Sequence, residues 1–486
     1  MSDSKSEKPP SESQLDADPF DSPQDKKLVW KVDLRLIPIL TLLYLLSFLD
    51  RILGLTTDLH VSAPQYNTAL ALYFVAYVLF EVPANRFNPR IWLPTLTLIW
   101  GIASICQGLV KNQAGLFGIR FFLGVTEAGL FPGVIYLFSV YYRRHERSWR
   151  VAIFFGGAAL AGAFGGILAF AIGKMEGVGG RRGWQWIFIL EGVLTVAVSI
   201  LAYFVVPTWS HQATFLTETE RARLLARLAA DSDAARQEKF EWFFVWQAFT
   251  DHLVWAYALL FHGFAFVLYS LSLFLPTIIA GLGFSSWQAQ LLTVPPNALA
   301  SLSIWGTVWV SSRYNARAPF IIGSAFVAII GYIILITGPT AGAQYVGVHF
   351  AAAGVYTGNA LLLSWPGENV SAQTKRAVAV ALQITVGDIG AIAGWIFLTL
   401  PRSILYIQTQ YLACLFTGRT HIIAIGYLLF AAAVATYLWV WMARENKRRD
   451  LLVANDGKGR DLDAGEEDRV QQERLGDRSV FYRYVI

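Results

Sequence analysis

Residues 116–140 read LFGIRFFLGVTEAGLFPGVIYLFSV. Twenty-five residues carry one Arg and one Glu, and nearly all the rest are apolar or small. That is longer than the roughly 20 residues a helix needs to cross the hydrocarbon of a bilayer. Lipid offers backbone groups no hydrogen bonds, so a segment of this kind spans as a helix or as part of a closed barrel. The run is too long and too continuously apolar for the alternation of barrel strands.

The whole chain repeats this pattern. Hydrophobic residues make up 55% of its 486 residues and charged ones only 15%, against about 25% charged in a soluble domain. Mean hydropathy is +0.46. About twelve spans are expected, at 34–54, 67–86, 91–110, 116–140, 150–172, 185–206, 253–279, 288–310, 319–338, 344–365, 376–400 and 421–442. The expected fold class is an all-α membrane protein of two six-helix bundles. Its parts are a disordered tail (1–33), a first bundle (34–206), a polar linker (207–250), a second bundle (251–442) and a C-terminal tail (443–486). The first 30 residues are polar and lack the apolar core of a cleavable signal. In the linker, TETERARLLARLAADSDAAR (217–236) reads as a helix with a Thr cap and carboxylates in its first turn.

Basic loops give an orientation. YYRRHERSWR (141–150), SSRYNARAP (311–319), Lys375 with Arg376, and ARENKRR (443–449) all fall on one side if the spans alternate. Positive charge stays inside, so both termini are expected in the cytoplasm. GRRGW (180–184) runs against the trend. The net charge of +5 is explained by these loops rather than by nucleic acid. Cys106 and Cys414 are the only cysteines, and no Cys/His spacing suggests a zinc site. No nucleophile–His arrangement, phosphate loop or cofactor motif is present, so an enzyme is not expected.

Charges inside the spans are the functional signal. In SFLDRILGL (47–55), Asp50 and Arg51 stand together within the first span. On mild insertion scales each costs roughly 2.5–3.5 kcal/mol at the bilayer centre. The pair either snorkels at the helix end or faces a wet cavity; apolar ILGL follows at once. In the fourth span Arg120 and Glu127 are seven residues apart, two turns, on one helix face. They can be a structural lock between the first and fourth helices, or a titratable carboxylate beside an anion-binding guanidinium. Asp388 and Gln383 in the eleventh span, Asn297 in the eighth, and His262 and Tyr269 in the seventh are softer candidates for substrate contact. Lone polar groups on membrane helices more often bond helix to helix. FFGGAALAGAFGG (154–166) is a small-residue packing stripe that also lets helices rock.

Several motifs jointly resemble the fungal anion:cation symporters of the major facilitator superfamily, the group of allantoate, nicotinate, pantothenate and biotin-type permeases. They are LLYLLSFLDR (42–51), PQYNTALALYFVAYVLFEVPAN (64–85), RFFLGVTEAGLFPGVIYLFSVYYRRHER (120–147), GWQWIFILEG (183–192), SLFLPTIIAGLGFSSWQAQLLTVPP (272–296) and TKRAVAVALQITVGDIGAIAG (374–394). The ending FYRYVI (481–486) is similar as well. The resemblance implies that Asp50 and Glu127 couple protons, that Arg51 binds the substrate anion, and that Arg120 pairs with a carboxylate or helps bind that anion. An Arg fork suits a carboxylate.

The sequence departs from the family where DRILGL (50–55) and NRFNPR (85–90) each skip residues, where Ser312 replaces an Asp, and along 400–420. The expectation is proton-coupled uptake of a small organic anion by a monomer of the plasma membrane, driven by the proton gradient with no cofactor. Efflux of a secondary metabolite and a transport-inactive sensor or degenerate copy remain alternatives. GAFGG (162–166) lacks the proline typical of proton-exchanging exporters, which favours uptake.

Overall fold

The computed structural model describes residues 20, 22–49, 61, 65, 68–69, 72–73, 76, 80, 88–173, 175–230, 241–284, 286–399, 411–455, 476–480 and 482–486. Among them the fold is all-α. The helices are α1 (Pro23–Leu49), α2 (Pro89–Gln107), α3 (Gln113–Glu127), α4 (Leu130–Tyr141), α5 (Arg144–Gly173), α6 (Gly183–Val205), α7 (Glu218–Ala230) and α8 (Trp242–Thr250). The second half has α9 (His252–Gly281), α10 (Ser286–Leu291), α11 (Val294–Arg313), α12 (Ala318–Thr337), α13 (Ala341–Asn369), α14 (Gln373–Thr399) and α15 (Tyr411–Asn455).

Eight segments among the described residues are long and apolar enough to cross a membrane: 89–107, 113–141, 146–165, 183–205, 252–272, 318–337, 341–369 and 420–453. They match the third to seventh, ninth, tenth and twelfth expected spans. Two expected spans, the fourth and the eighth, are broken by local chemistry. The fourth divides at Ala128–Gly129, just before Pro132. The eighth divides into α10 and α11, with proline in the first turn of α11, where its missing N–H costs nothing.

Polar caps set several helix starts. Asn112 Oδ1 accepts from the Gly115 amide at 2.8 Å, and Asp251 Oδ1 from Leu253 at 2.9 Å. Thr217 and Glu220 form the reciprocal pair that opens α7: the Glu220 amide donates to Thr217 Oγ1, and the Thr217 amide to Glu220 Oε2.

The expected tail boundaries need correction. Residues 23–33 are helical, because Ser22 caps α1 through Asp25 and the first turns find partners elsewhere. Asp25 binds Arg223 at 2.9 Å, Lys31 binds Glu220 at 2.7 Å, and Asp33 takes a two-pronged bond from Arg150. The linker holds a second helix, α8, besides the expected one. Beyond residue 443, α15 runs on to Asn455, and residues 476–480 and 482–486 fold back onto the second half.

The two halves meet along α5, which packs on α1 in its own half and on α11 and α13 in the other. The small-residue stripe makes this possible. A Cβ on Gly162 would lie 2.9 Å from Asn297 Nδ2 of α11. Ser301 Oγ donates to the Gly156 carbonyl at 3.1 Å. One end of the assembly gathers Arg147, Arg317, Lys375 and Arg449, all buried; it is called the basic end below.

Candidate functional site

Arg120 and Glu127 both lie on α3 and keep their two-turn spacing, about 10 Å along the axis. Arg120 is only 7% exposed. Its Nε has no hydrogen-bond partner, and no ion pair reaches its guanidinium among the described residues. Glu127 is half-buried and accepts from the Tyr73 hydroxyl at 2.6 Å. The contact with Tyr73 exists because Gly124 lets α3 ride against its backbone: a Cβ there would collide with the Tyr73 carbonyl. Both side chains thus stay in the first half, and no bond joins them to each other among the described residues.

Asp50 and Arg51 lie outside the described residues. Asn297 sits on the seam between the halves, 3% exposed, with Oδ1 unpartnered. Tyr269 is half-buried on α9 and packs against the core. Asp388 is 2% exposed on α14. Gln383, a turn earlier, donates to the Leu362 carbonyl at 3.1 Å and leaves Oε1 unpartnered. His262 Nδ1 lies 2.9 Å from the Val386 carbonyl, which makes it a helix-to-helix bond. Among the described residues no hydrogen bond or ion pair joins Arg120, Asn297, Tyr269 and Asp388 to one another.

Sequence reasoning passed over three features. Tyr73 is one of many tyrosines in apolar runs, and only its position against Gly124 singles it out. Glu191 on α6 is a carboxylate only 3% exposed, which its place inside an apolar span could have flagged. The third is a pair of contacts between the halves at the basic end. Glu368 of α13 holds Arg317 with two bonds of 3.1 Å and accepts from Ser148 Oγ of α5. Beside it Arg147 Nη1 donates to the Gly367 carbonyl at 3.3 Å. A small cavity of about 50 Å³ lies next to these contacts, lined among others by Tyr136, Ser139, Ser364 and Val380.

The family model of the Major Facilitator Superfamily matches residues 38–395. An uncharacterized transporter of Schizosaccharomyces pombe is 34% identical over 418 residues, covering 82% of this chain and 83% of its own. The high-affinity nicotinic acid transporter of Saccharomyces cerevisiae is 30% identical, covering 95% of this chain and 85% of its own. Among solved structures, the proton:xylose symporter XylE bound to 6-bromo-6-deoxy-D-glucose superposes with a TM-score of 0.67 at 15% identity, covering 85% of this chain and 96% of that one.

Proposed function

Since the chain belongs to the Major Facilitator Superfamily and is a multi-pass membrane transporter, we propose that it takes up a small organic anion in symport with protons. The observation that carries this reading is Arg120. A guanidinium 7% exposed, with its Nε unpartnered and no ion pair among the described residues, carries an uncompensated charge whose desolvation costs several kcal/mol. An anion bound at the guanidinium would remove that cost. A planar fork recognises a carboxylate better than a point charge does. The similarity to a nicotinic acid transporter supports the same substrate class.

On this reading each candidate residue has a role. Arg120, with Arg51, binds the substrate carboxylate. Glu127 carries the coupling proton, with Asp50 as its partner carboxylate; the Tyr73 hydroxyl orients it. Asn297, Tyr269 and Asp388 contact the rest of the substrate. A bound anion adds negative charge near the carboxylates, which then protonate more readily, so anion and proton travel together. The protein works as a monomer in the plasma membrane with both termini in the cytoplasm, and the proton gradient supplies the energy.

Uptake of labelled nicotinate and other small carboxylates into cells expressing the chain tests this. Accumulation that grows with outside acidity and collapses with an uncoupler is expected, with Arg120→Gln abolishing it. Equal uptake of the acid and its amide would overturn the anion assignment. Lowered cell content of the compound would establish efflux, and no flux for any compound a transport-inactive chain.

A further inference from the structure

Residues 476–480 and 482–486 do not trail away from the protein. Asp477 and Tyr484 are 2% and 5% exposed. Lys375, fully buried at the start of α14, holds Asp477 at 2.7 Å and Asp251 at 2.7 Å. Arg449 of α15 donates to the carbonyls of Asp477 and Tyr482, both at 3.0 Å, and its guanidinium lies 4.8 Å from the centre of the Tyr484 ring. Asn446 and Tyr484 exchange a reciprocal pair of bonds at 2.9 Å.

The other side of the segment grips the last turn of α13. Trp365 Nε1 donates to the Val485 carbonyl at 2.8 Å, and Asn369 exchanges bonds with Val485 at 2.7 and 2.9 Å. The Tyr482 hydroxyl donates to the Glu368 carbonyl at 3.1 Å. The Arg317 amide, at the start of α12, donates to the Ile486 carbonyl at 2.7 Å. These positions interleave with Gly367 and Glu368, the residues that receive Arg147 and Ser148 from the first half. Both members of the Arg317–Glu368 pair are therefore tied at their backbones to the segment.

We propose that residues 476–480 and 482–486 are a brace that holds the basic end shut: they fix the last turn of α13 so that Glu368 and Gly367 stay on α5, and their release lets the halves part there. A helix end held by one ion pair can fray, whereas one also bonded at residues 365, 368 and 369 cannot move away from α5 without breaking those bonds. The inference rests on membership of the transporter family. It is independent of the anion assignment.

The test needs no substrate. In the full chain with Cys106→Ala and Cys414→Ala, Ser364→Cys places a thiol in the cavity between the halves. Purified in detergent, it is exposed to a hydrophilic maleimide. Asp477→Arg sets a cation against Lys375 and Arg449 and drives the segment out. Labelling is expected to rise at least fivefold, and Glu368→Ala with the segment intact should raise it as well. Labelling within twofold of the parent in the Asp477→Arg chain would overturn the brace. Should that variant not reach the membrane, Tyr482→Phe combined with Asn446→Ala answers the same question. A smaller but clear rise supports the brace, and an unchanged rate rejects it.

Discussion

Glu368→Ala is the sharpest perturbation of the basic end. Glu368 and Arg317 are each 2% exposed at the side chain and share two bonds of 3.1 Å. Removing the carboxylate leaves Arg317 with only the Ser311 and Ser312 hydroxyls, at 2.8 and 3.3 Å. Breaking a buried pair from one side costs about 3–5 kcal/mol. An unfolding entropy near 2.1 cal/mol/K per residue, over a chain of this length, gives roughly 1 kcal/mol/K. Tm should therefore fall by about 3–5 °C, and by more where helices persist in the unfolded micellar state. Thermal unfolding of the purified protein, followed by a thiol-reactive dye or by near-UV dichroism, reads this directly. Replacing both partners, Arg317→Met with Glu368→Leu, removes the stranded charge and should recover most of the loss, since such swaps are often neutral. A single variant within about 1 °C of the parent, or a double variant no better than the single, would refute the reasoning.

Three further outcomes are expected. Glu127→Gln should abolish uphill accumulation while leaving substrate exchange measurable in counterflow, whereas Tyr73→Phe should change the pH dependence of uptake more than its maximal rate. Arg120→Lys keeps the charge but loses the fork, and should raise the half-saturating substrate concentration at least tenfold in initial-rate measurements. The third concerns pH. Hydrogen bonds from the Arg223 guanidinium and from Ser22 hold Asp25 well below the usual carboxylate range against the opposing effect of burial. A depressed carboxylate contributes its full stabilisation above its unfolded pKa of about 3.9 and loses it as pH falls toward its folded value. Hydrogen exchange in α7 should thus be faster in Asp25→Asn than in the parent at neutral pH, with the difference shrinking only below about pH 4.

Much of this architecture is legible in the residues because lipid enforces it. A span must satisfy its backbone internally, so apolar length alone locates α2, α5, α6, α9, α12 and α13 to within a few residues at most ends. The breaks at Ala128–Gly129 and before α11 are also written locally, in Pro132, Pro295 and Pro296. What length cannot reveal is pairing over distance. Arg147 and Arg150 read only as loop charge, yet one reaches Gly367, 220 residues away, and the other reaches Asp33, 117 residues away. The polar ends fared worst. Residues 23–33, 476–480 and 482–486 look like solvated tails by composition, and groups of α5, α7, α12, α13, α14 and α15 receive them. Arg120 was legible as a costly charge; that no ion pair reaches it among the described residues was not, since that depends on what the neighbouring helices offer.

The salt bridge between Asp25 and Arg223 has a consequence in time. The two residues are 198 positions apart, and a ribosome adds about 5–20 residues per second. Asp25 is therefore synthesised roughly 10–40 s before its guanidinium exists. Throughout that interval the first helix must be inserted and held without the contact that later pins its start, while α2 to α6 enter the bilayer behind it. The anchoring of α1 is a late event in biosynthesis, and a nascent chain stalled before residue 223 should leave residues 22–33 open to protease.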